Sequence, residues 1–444
     1  MKIQLSDHFT YTKLIRFTIP SILMMIFISV YSVVDGFFVA KFVGPTPFAA
    51  VNIIWPFVMI LGSIGFMLGS GGSALVAKTL GEGHPLKANR IFSLLIYSTI
   101  VCSTVLAVLG LLIIKPLIKF FGVEEQLLAD CMTYAYILMP AVPVLMLQVI
   151  FHTFMVTAER PQLGLIITVA AGVVNFILDA VFILGLKWGL SGAAWATVIG
   201  QMIGGVIPLL YFIAPNKSLL RLGRTKLYWR ALLKSCTNGI SEFLSNISMS
   251  VVGTLYNYQM LKLAGEDGVV AFGIISYVNF IFWATFIGYA VGSNPIVSFH
   301  FGAGNKDELK NLFCRSLKLI ATAGVILTLS AEWSASFLAD CFVGYDRHLS
   351  ELTAVGFRIY AISFLLAGFN IYASAFFTAL NNGLVSAVIS VSRTMIFECL
   401  SVLVLPIFFG LDGIWSAIIV AEMLALSVSI TCWLKYKNRY GYMA

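Results

Sequence analysis

The sequence predicts an all-α polytopic membrane protein, with twelve transmembrane helices arranged as two six-helix, parallel-repeat lobes. Three observations carry that expectation. First, 59% of the 444 residues are hydrophobic and only 11% are charged, and a mean hydropathy of +0.95 leaves too little charge to coat a water-facing surface. Second, the apolar residues gather in runs of about 20 or more, the length that crosses a hydrocarbon core. Third, the second half of the chain echoes the first at a constant spacing.

The apolar runs fall near 14–40, 48–77, 91–114, 128–157, 162–185, 190–213, 231–261, 269–299, 312–338, 350–379, 384–409 and 412–434. Several exceed the bilayer thickness, which predicts tilt or bending. Turn-forming stretches separate them: GPTP at 44–47, GEGH at 81–84, ERP at 159–161, GAGN at 302–305 and NNG at 381–383. Residues 71–92 align with 292–313, and 186–196 with 407–417, both at an offset of 221 residues. Six spans per repeat is an even number, so the halves share one orientation and relate by an axis along the membrane normal, as in one class of transporters. The expected division is an N-lobe over 1–213, a linker over 214–230 of interfacial amphipathic character, and a C-lobe over 231–444.

Charge supplies the orientation. With the N-terminus, the even-numbered connections and the C-terminus on one side, that side holds most of the 28 Lys and Arg. The positive-inside rule places both termini in the cytoplasm of a multi-pass inner (plasma) membrane protein. The net charge of +8 therefore orients the chain and does not signal nucleic acid. The seven Cys are scattered singly and read as small buried hydrophobes, with no disulfide framework or zinc site. The N-terminus shows no small-residue cleavage site after a short apolar run. No GxxxxGK[ST] occurs, and the five His form no catalytic cluster at one depth, so an ATPase or other enzyme is not expected.

An ionised group at mid-bilayer costs roughly 2.5–3.5 kcal/mol on insertion scales, so it needs a partner or a use. Six acids fall in the runs: Asp35, Asp179, Glu242, Glu332, Glu398 and Glu422. Glu332 lies by an outer end beside Trp333. Asp35 has Tyr31 one turn earlier on its face, and Pro20 earlier still permits a bend. Asp179 shares a face with Asn175, and Thr197 on the sixth, antiparallel run reaches a similar depth. Two carboxylates, an amide oxygen and a hydroxyl are hard oxygen ligands, suited to Na⁺ or a shared proton. The second half has no matching pair, since Ile396 and Leu400 replace Asn175 and Asp179. Cation chemistry is therefore expected in the N-lobe. Gln148, Gln201 and Glu242 are candidates for substrate contact or gating together with Pro20 and Tyr31. Five residues is a poor helical spacing for an Arg393–Glu398 pair, and Glu398 and Glu422 read as structural.

Two six-span repeats, a proline in the first span and the set Asp35, Asn175, Asp179 and Thr197 resemble the multidrug and toxic compound extrusion (MATE) transporters. The set is closest to their bacterial and archaeal DNA-damage-inducible-F-type branch. The resemblance implies that these four residues bind the coupling cation. It implies a secondary antiporter, a monomer without cofactor, that exports small cationic amphiphilic molecules in exchange for H⁺ or Na⁺ by alternating access. Another branch uses acids on the seventh and tenth spans; Glu242 echoes the first, but the tenth span has no interior acid. A lipid-linked precursor flippase of the same superfamily is the alternative, weakened because Arg393 is the one clear intramembrane cation and such a cavity needs many.

Overall fold

The computed structural model describes residues 3–120 and 125–443. Of the described residues, 89% are helical. Among the described residues nine helices are long and apolar enough to cross a membrane, or ten when the pair Arg347–Ala361 and Phe364–Ala379, bent by 51°, counts as one span. Two of these helices are hairpins in fact. Trp229–Gly302 is interrupted at Gly265 (φ 63°, ψ −151°) and the last at Gly410 (φ 55°, ψ −130°), conformations open to glycine and costly for other residues. Dividing them there gives the twelve expected spans.

In chain order these are α1 (Tyr11–Val43), α2 (Pro45–Gly81), α3 (Pro85–Lys119), α4 (Leu127–Thr157), α5 (Pro161–Gly185) and α6 (Gly189–Ile213). The second half contributes α7 (229–264), α8 (266–302), α9 (Lys306–Val343), α10 (Arg347–Ala361 with Phe364–Ala379), α11 (383–409) and α12 (411–440). Prolines start α2, α3 and α5, where a missing N–H is free of cost. Side-chain caps from Thr10, Asn305, Asp346 and Asn382 start α1, α9, α10 and α11. Most helices outrun the apolar runs at the ends, because polar residues there continue the helix into the headgroup layer.

The backbone carries the internal repeat more sharply than the residues do. Left-handed glycines pair at the same offset of 221: Gly44 with Gly265, Gly83 with Gly304, and Gly189 with Gly410. The 3-10 turn at Met139–Ala141 in α4 recurs as the bend of α10 near residue 362. Three wide π turns break the repeat: Val39–Val43 in α1, Ala180–Gly185 in α5 and Ser392–Glu398 in α11.

Each half has its own apolar core. In the N-lobe, Phe92, Phe154 and Phe212 meet edge to face at 4.9 Å. In the C-lobe, Phe313 packs against Phe376 and Trp433 at 5.1 and 5.4 Å. The segment between them is not helical over 214–228. It is pinned to α3 by polar contacts: Arg221 N–H donates to Asn89 Oδ1 (2.6 Å) and Gly223 N–H to Ser93 Oγ (3.0 Å).

The lobes meet along the halves of the helices nearest the face that carries both chain ends, here the terminal face. A Cβ on Gly71 would overlap Ser235 and Gly239, one on Gly81 would overlap the Phe299 carbonyl, and one on Gly302 the Lys78 carbonyl. α1 lies as close to α8, with Gly292 against Thr18 at 3.1 Å. Asn238 Nδ2 donates across the seam to the Gly71 carbonyl (3.4 Å) and within its lobe to the Thr378 carbonyl (2.9 Å). The N-terminal segment straps the same face. Leu5 N–H donates to Glu159 Oε1 of the N-lobe (2.8 Å) and Phe9 N–H to Glu308 Oε1 of the C-lobe (2.8 Å). Leu5 and Phe9 are fully buried beneath it.

Gly81→Val forces α2 from α8, an overpacking cost of about 1–3 kcal/mol. Spin labels at Lys87 and Asp307, on either side of this seam, should move apart in the variant relative to the parent. An unchanged distance distribution would show that the glycine contact does not hold the face shut.

Candidate functional site

Close helix approach builds the polar site of the N-lobe. Gly172 of α5 admits the Phe27 and Tyr31 rings of α1, with Tyr31 Cδ1 at 3.2 Å from where a Cβ would stand. Gly200 of α6 admits α5, with Asn175 Cβ at 3.1 Å and the Ala171 carbonyl at 3.2 Å. Gly204, one turn along α6, admits the Gln148 carboxamide of α4 at 2.7 Å. Small residues at such spacing let helix backbones approach where lipid gives no hydrophobic drive. Four helices thus converge with polar side chains between them.

Asp35, Asn175 and Asp179 lie within interaction range of one another at this junction. Asn175 and Asp179 are buried at 5% and 1% exposure, while Asp35 is half-buried. Tyr31 sits between Asp35 and Gln148. Asp35 Oδ1, Asp179 Oδ1 and Asn175 Nδ2 are buried without a hydrogen-bond partner. Two carboxyl groups facing each other in an apolar setting with unused oxygens need a positive charge or a proton between them. The amide and carboxyl oxygens form an all-oxygen donor set of the kind that accepts a hard monovalent cation or a proton.

Thr197 stands apart. Its hydroxyl is half-buried and donates to the Ala193 carbonyl of its own helix (3.0 Å). It lies about one turn from Gly200, toward the level of Asp179, with its lone pairs free to accept. Gln201 is buried on α6 (6% exposed) and Gln148 on α4 (4%). Pro20 is buried in α1 beside Ser21 and Ile22, which press against Gly288 of α8 at the lobe seam. Glu242 lies on α7, one turn beyond Gly239 and the α2 contact, half-buried and far along the fold from Asp35.

One site residue is not apparent from the sequence. Tyr134 of α4 is 1% exposed and within range of both Asp35 and Asp179. Nothing in CMTYAYILMP distinguishes it from Tyr136, which is 53% exposed. The Gly200–Gly204 spacing on α6 was readable and marks the face that meets α4 and α5.

Of the C-lobe acids Glu422 finds partners, and Arg393 pairs with it and not with Glu398. Arg393 reaches across to α12 and pairs with Glu422, with Nε and Nη2 at 2.8 and 2.6 Å from Oε1. Glu422 Oε2 accepts from Asn370 Nδ2 (2.7 Å), and Asn370 Oδ1 accepts from Ser429 (2.8 Å).

With this geometry in place, the comparisons are informative. The MatE family model matches twice, over residues 20–181 and 243–403, once in each half. The chain is 21% identical over 431 residues to the multidrug export protein MepA of Staphylococcus haemolyticus, covering 97% of this chain and 94% of that one. It is also 21% identical to MepA of Staphylococcus aureus strain MRSA252, over 96% and 94%. Among solved structures it superimposes on a MATE crystal structure in complex with MaL6, at TM-score 0.92 and 19% identity over 98% of each chain. An outward-facing multidrug resistance MATE transporter of the MOP superfamily fits at TM-score 0.91 and 19% identity, over 98% and 97%. At that identity the solved structures establish the fold, and the family model establishes kinship, whose members are transporters and not enzymes. Matched in both halves by one model, this chain belongs to the MatE family of membrane transporters.

Proposed function

We propose that the protein is a secondary antiporter that exports small, cationic amphiphilic molecules in exchange for H⁺ or Na⁺. The observation that carries this reading is the apposition of Asp35 and Asp179 with an unpartnered oxygen on each. A cation or proton there is the simplest way to settle two buried acids, and Asn175 and Thr197 complete its oxygen shell. The same four residues underlie the likeness to the DNA-damage-inducible-F-type branch.

The mechanism follows from where the lobes touch. The closest contacts and the N-terminal strap lie on the terminal face, which the Lys and Arg bias assigns to the cytoplasm of the plasma membrane. The site then opens toward the opposite side, and the coupling ion enters from there. Neutralising Asp35 and Asp179 removes the charge that attracts a cationic substrate. It also relaxes the demand for water around α1, whose Pro20 lacks the N–H that would stiffen the helix. Binding of one cation and binding of the other thus exclude each other, which is the requirement for exchange. The protein works as a monomer without a cofactor, as the internal repeat supplies both lobes in one chain.

The flippase reading has less support. Its substrate pyrophosphate needs free basic groups, whereas Arg393 is held by Glu422 at 2.6 Å. The relatives reported above carry the name multidrug export proteins.

In proteoliposomes loaded with ethidium, an imposed Na⁺ or proton gradient should drive dye efflux in the parent, and Asp35→Asn should lose it while inserting normally. Efflux by that variant at the parental rate would remove Asp35 from the coupling site. Gly200→Val, which changes no ionisable group, should displace α5 and raise the coupling-ion concentration for half-maximal efflux severalfold. An unaltered ion dependence would mean that the α5–α6 spacing does not set the site.

A further inference from the structure

The N-lobe site has a counterpart in the C-lobe that the sequence conceals. At the offset of 221, Asp35 corresponds to Tyr256, Gln201 to Glu422, and Asp179 to Leu400. Leu400 and Ile396, the counterparts of Asp179 and Asn175, are 54% and 45% exposed. Ile177 is 52% exposed, yet its counterpart Glu398 is 6% exposed, and Thr394 beside it is 5% exposed. The inward face of α11 has therefore rotated relative to α5. The cause is the π turn Ser392–Glu398. In a turn closed by i→i+5 bonds, residues five apart stack on one face, where an α-helix spreads them. The turn brings Arg393 and Glu398 to the same side and turns Leu400 to the lipid.

Four helices surround Glu398. Arg393 lies on its own helix, Glu422 on α12, Tyr256 on α7 and Tyr360 on α10, all within interaction range. Arg393 is consumed by Glu422 and stacks on the Trp283 ring of α8 at 4.7 Å. Glu422 is fully buried and saturated by Arg393 and Asn370. Glu398 has no hydrogen-bond partner among the described residues. The Tyr256 hydroxyl and the Trp283 Nε1, both buried, lack one as well. Two carboxylates and one guanidinium leave the cluster one positive charge short, with unpartnered polar atoms on the neighbouring Tyr256 and Trp283. In the other lobe Asp35 and Asp179 each carry a fully buried oxygen without a partner, which Glu398 does not.

We propose that Glu398, with the Tyr256 hydroxyl, forms a second binding site for a single small positive charge, a proton or Na⁺, in the C-lobe. Each lobe then carries its own ion, in a place related by the internal repeat but built from different side chains. Arg393 and Glu422 act as a fixed pair that positions the site and does not take up the ion. The proposal stands on the geometry of the C-lobe and does not depend on antiport.

The test reads carboxyl protonation and not transport. Infrared difference spectra of the full chain in lipid nanodiscs, recorded across a pH titration, should show a protonated-carboxyl stretch with a component that disappears in Glu398→Gln. The same component should persist when Asp35 and Asp179 are both changed to Asn. Glu398→Asp should retain it at a shifted frequency, which guards against a misfolded Gln variant. Adding NaCl, but not choline chloride, at constant pH removes the component if the site takes Na⁺; insensitivity to both salts assigns it to the proton alone. A Glu398→Gln spectrum identical to the parent, or a component unshifted in Glu398→Asp, overturns the proposal. Either result leaves the ethidium experiment on Asp35 untouched, so the two readings fail separately.

Discussion

A charge inside a bilayer must be neutralised within reach of its own side chain, because no water is there to do it. The interior of this protein is organised around that requirement. Glu422 meets it in full, with a guanidinium at 2.6 Å and an amide at 2.7 Å. Asp35 and Asp179 do not, since each retains a buried oxygen with no partner. The contrast separates an acid whose charge is paired from two whose buried oxygens are left unpartnered. It also explains why glycines line the helices that carry these groups. Side chains as short as Asp and Asn meet only if backbones come close, and Gly172, Gly200 and Gly204 remove the atoms that would hold α1, α4, α5 and α6 apart.

The same device serves a different end on the terminal face. There glycines bring backbone against backbone between lobes, at Gly71, Gly81, Gly239 and Gly302. Apolar side chains cross the seam as well, with Leu14 and Phe17 of α1 and Val156 of α4 joined to the C-lobe core. The strap of residues 3–10 adds polar contacts to Glu159 and Glu308 on opposite lobes. The seam thus combines close backbone contacts, a few hydrogen bonds and an apolar layer shared by both halves. On the reading proposed above, separation of the lobes there would be a rigid-body step between two packed arrangements.

Much of this was legible in the residues. Apolar run length gave the spans, and the breakers at GPTP and GAGN fall at turns. The offset of 221 foretold the paired glycines at 44 and 265 and at 189 and 410. Asp35, Asn175 and Asp179 could be placed together because ordinary helical spacing and two spans running the same way suffice to set them at one depth. Tyr134 was not legible, since helical rotation within a Tyr-rich run leaves no mark in one sequence. The poor spacing of Arg393 for Glu398 agrees with the pair that forms, Arg393 with Glu422. What was not legible is the wide turn over Ser392–Glu398 that carries both residues. Periodicity arguments assume one helix geometry, so they fail where the geometry changes, and such places collect near functional sites.

The π turn also bears on why the two lobes differ. Repeats start alike, and a repeat whose halves carried the same acids would place the same ion demand on both. Here the demand on α5 is met by two acids across from each other, and on α11 by one acid beside an arginine pair. A transporter whose lobes hold unequal sites can fill them at different ion concentrations or in a fixed order. Under the proposed ion binding, occupancy would shift the balance between closed and open seams only by the difference in affinity for the two states. Two unequal sites would divide that difference between the lobes, so neither would need to bind so tightly that release becomes slow.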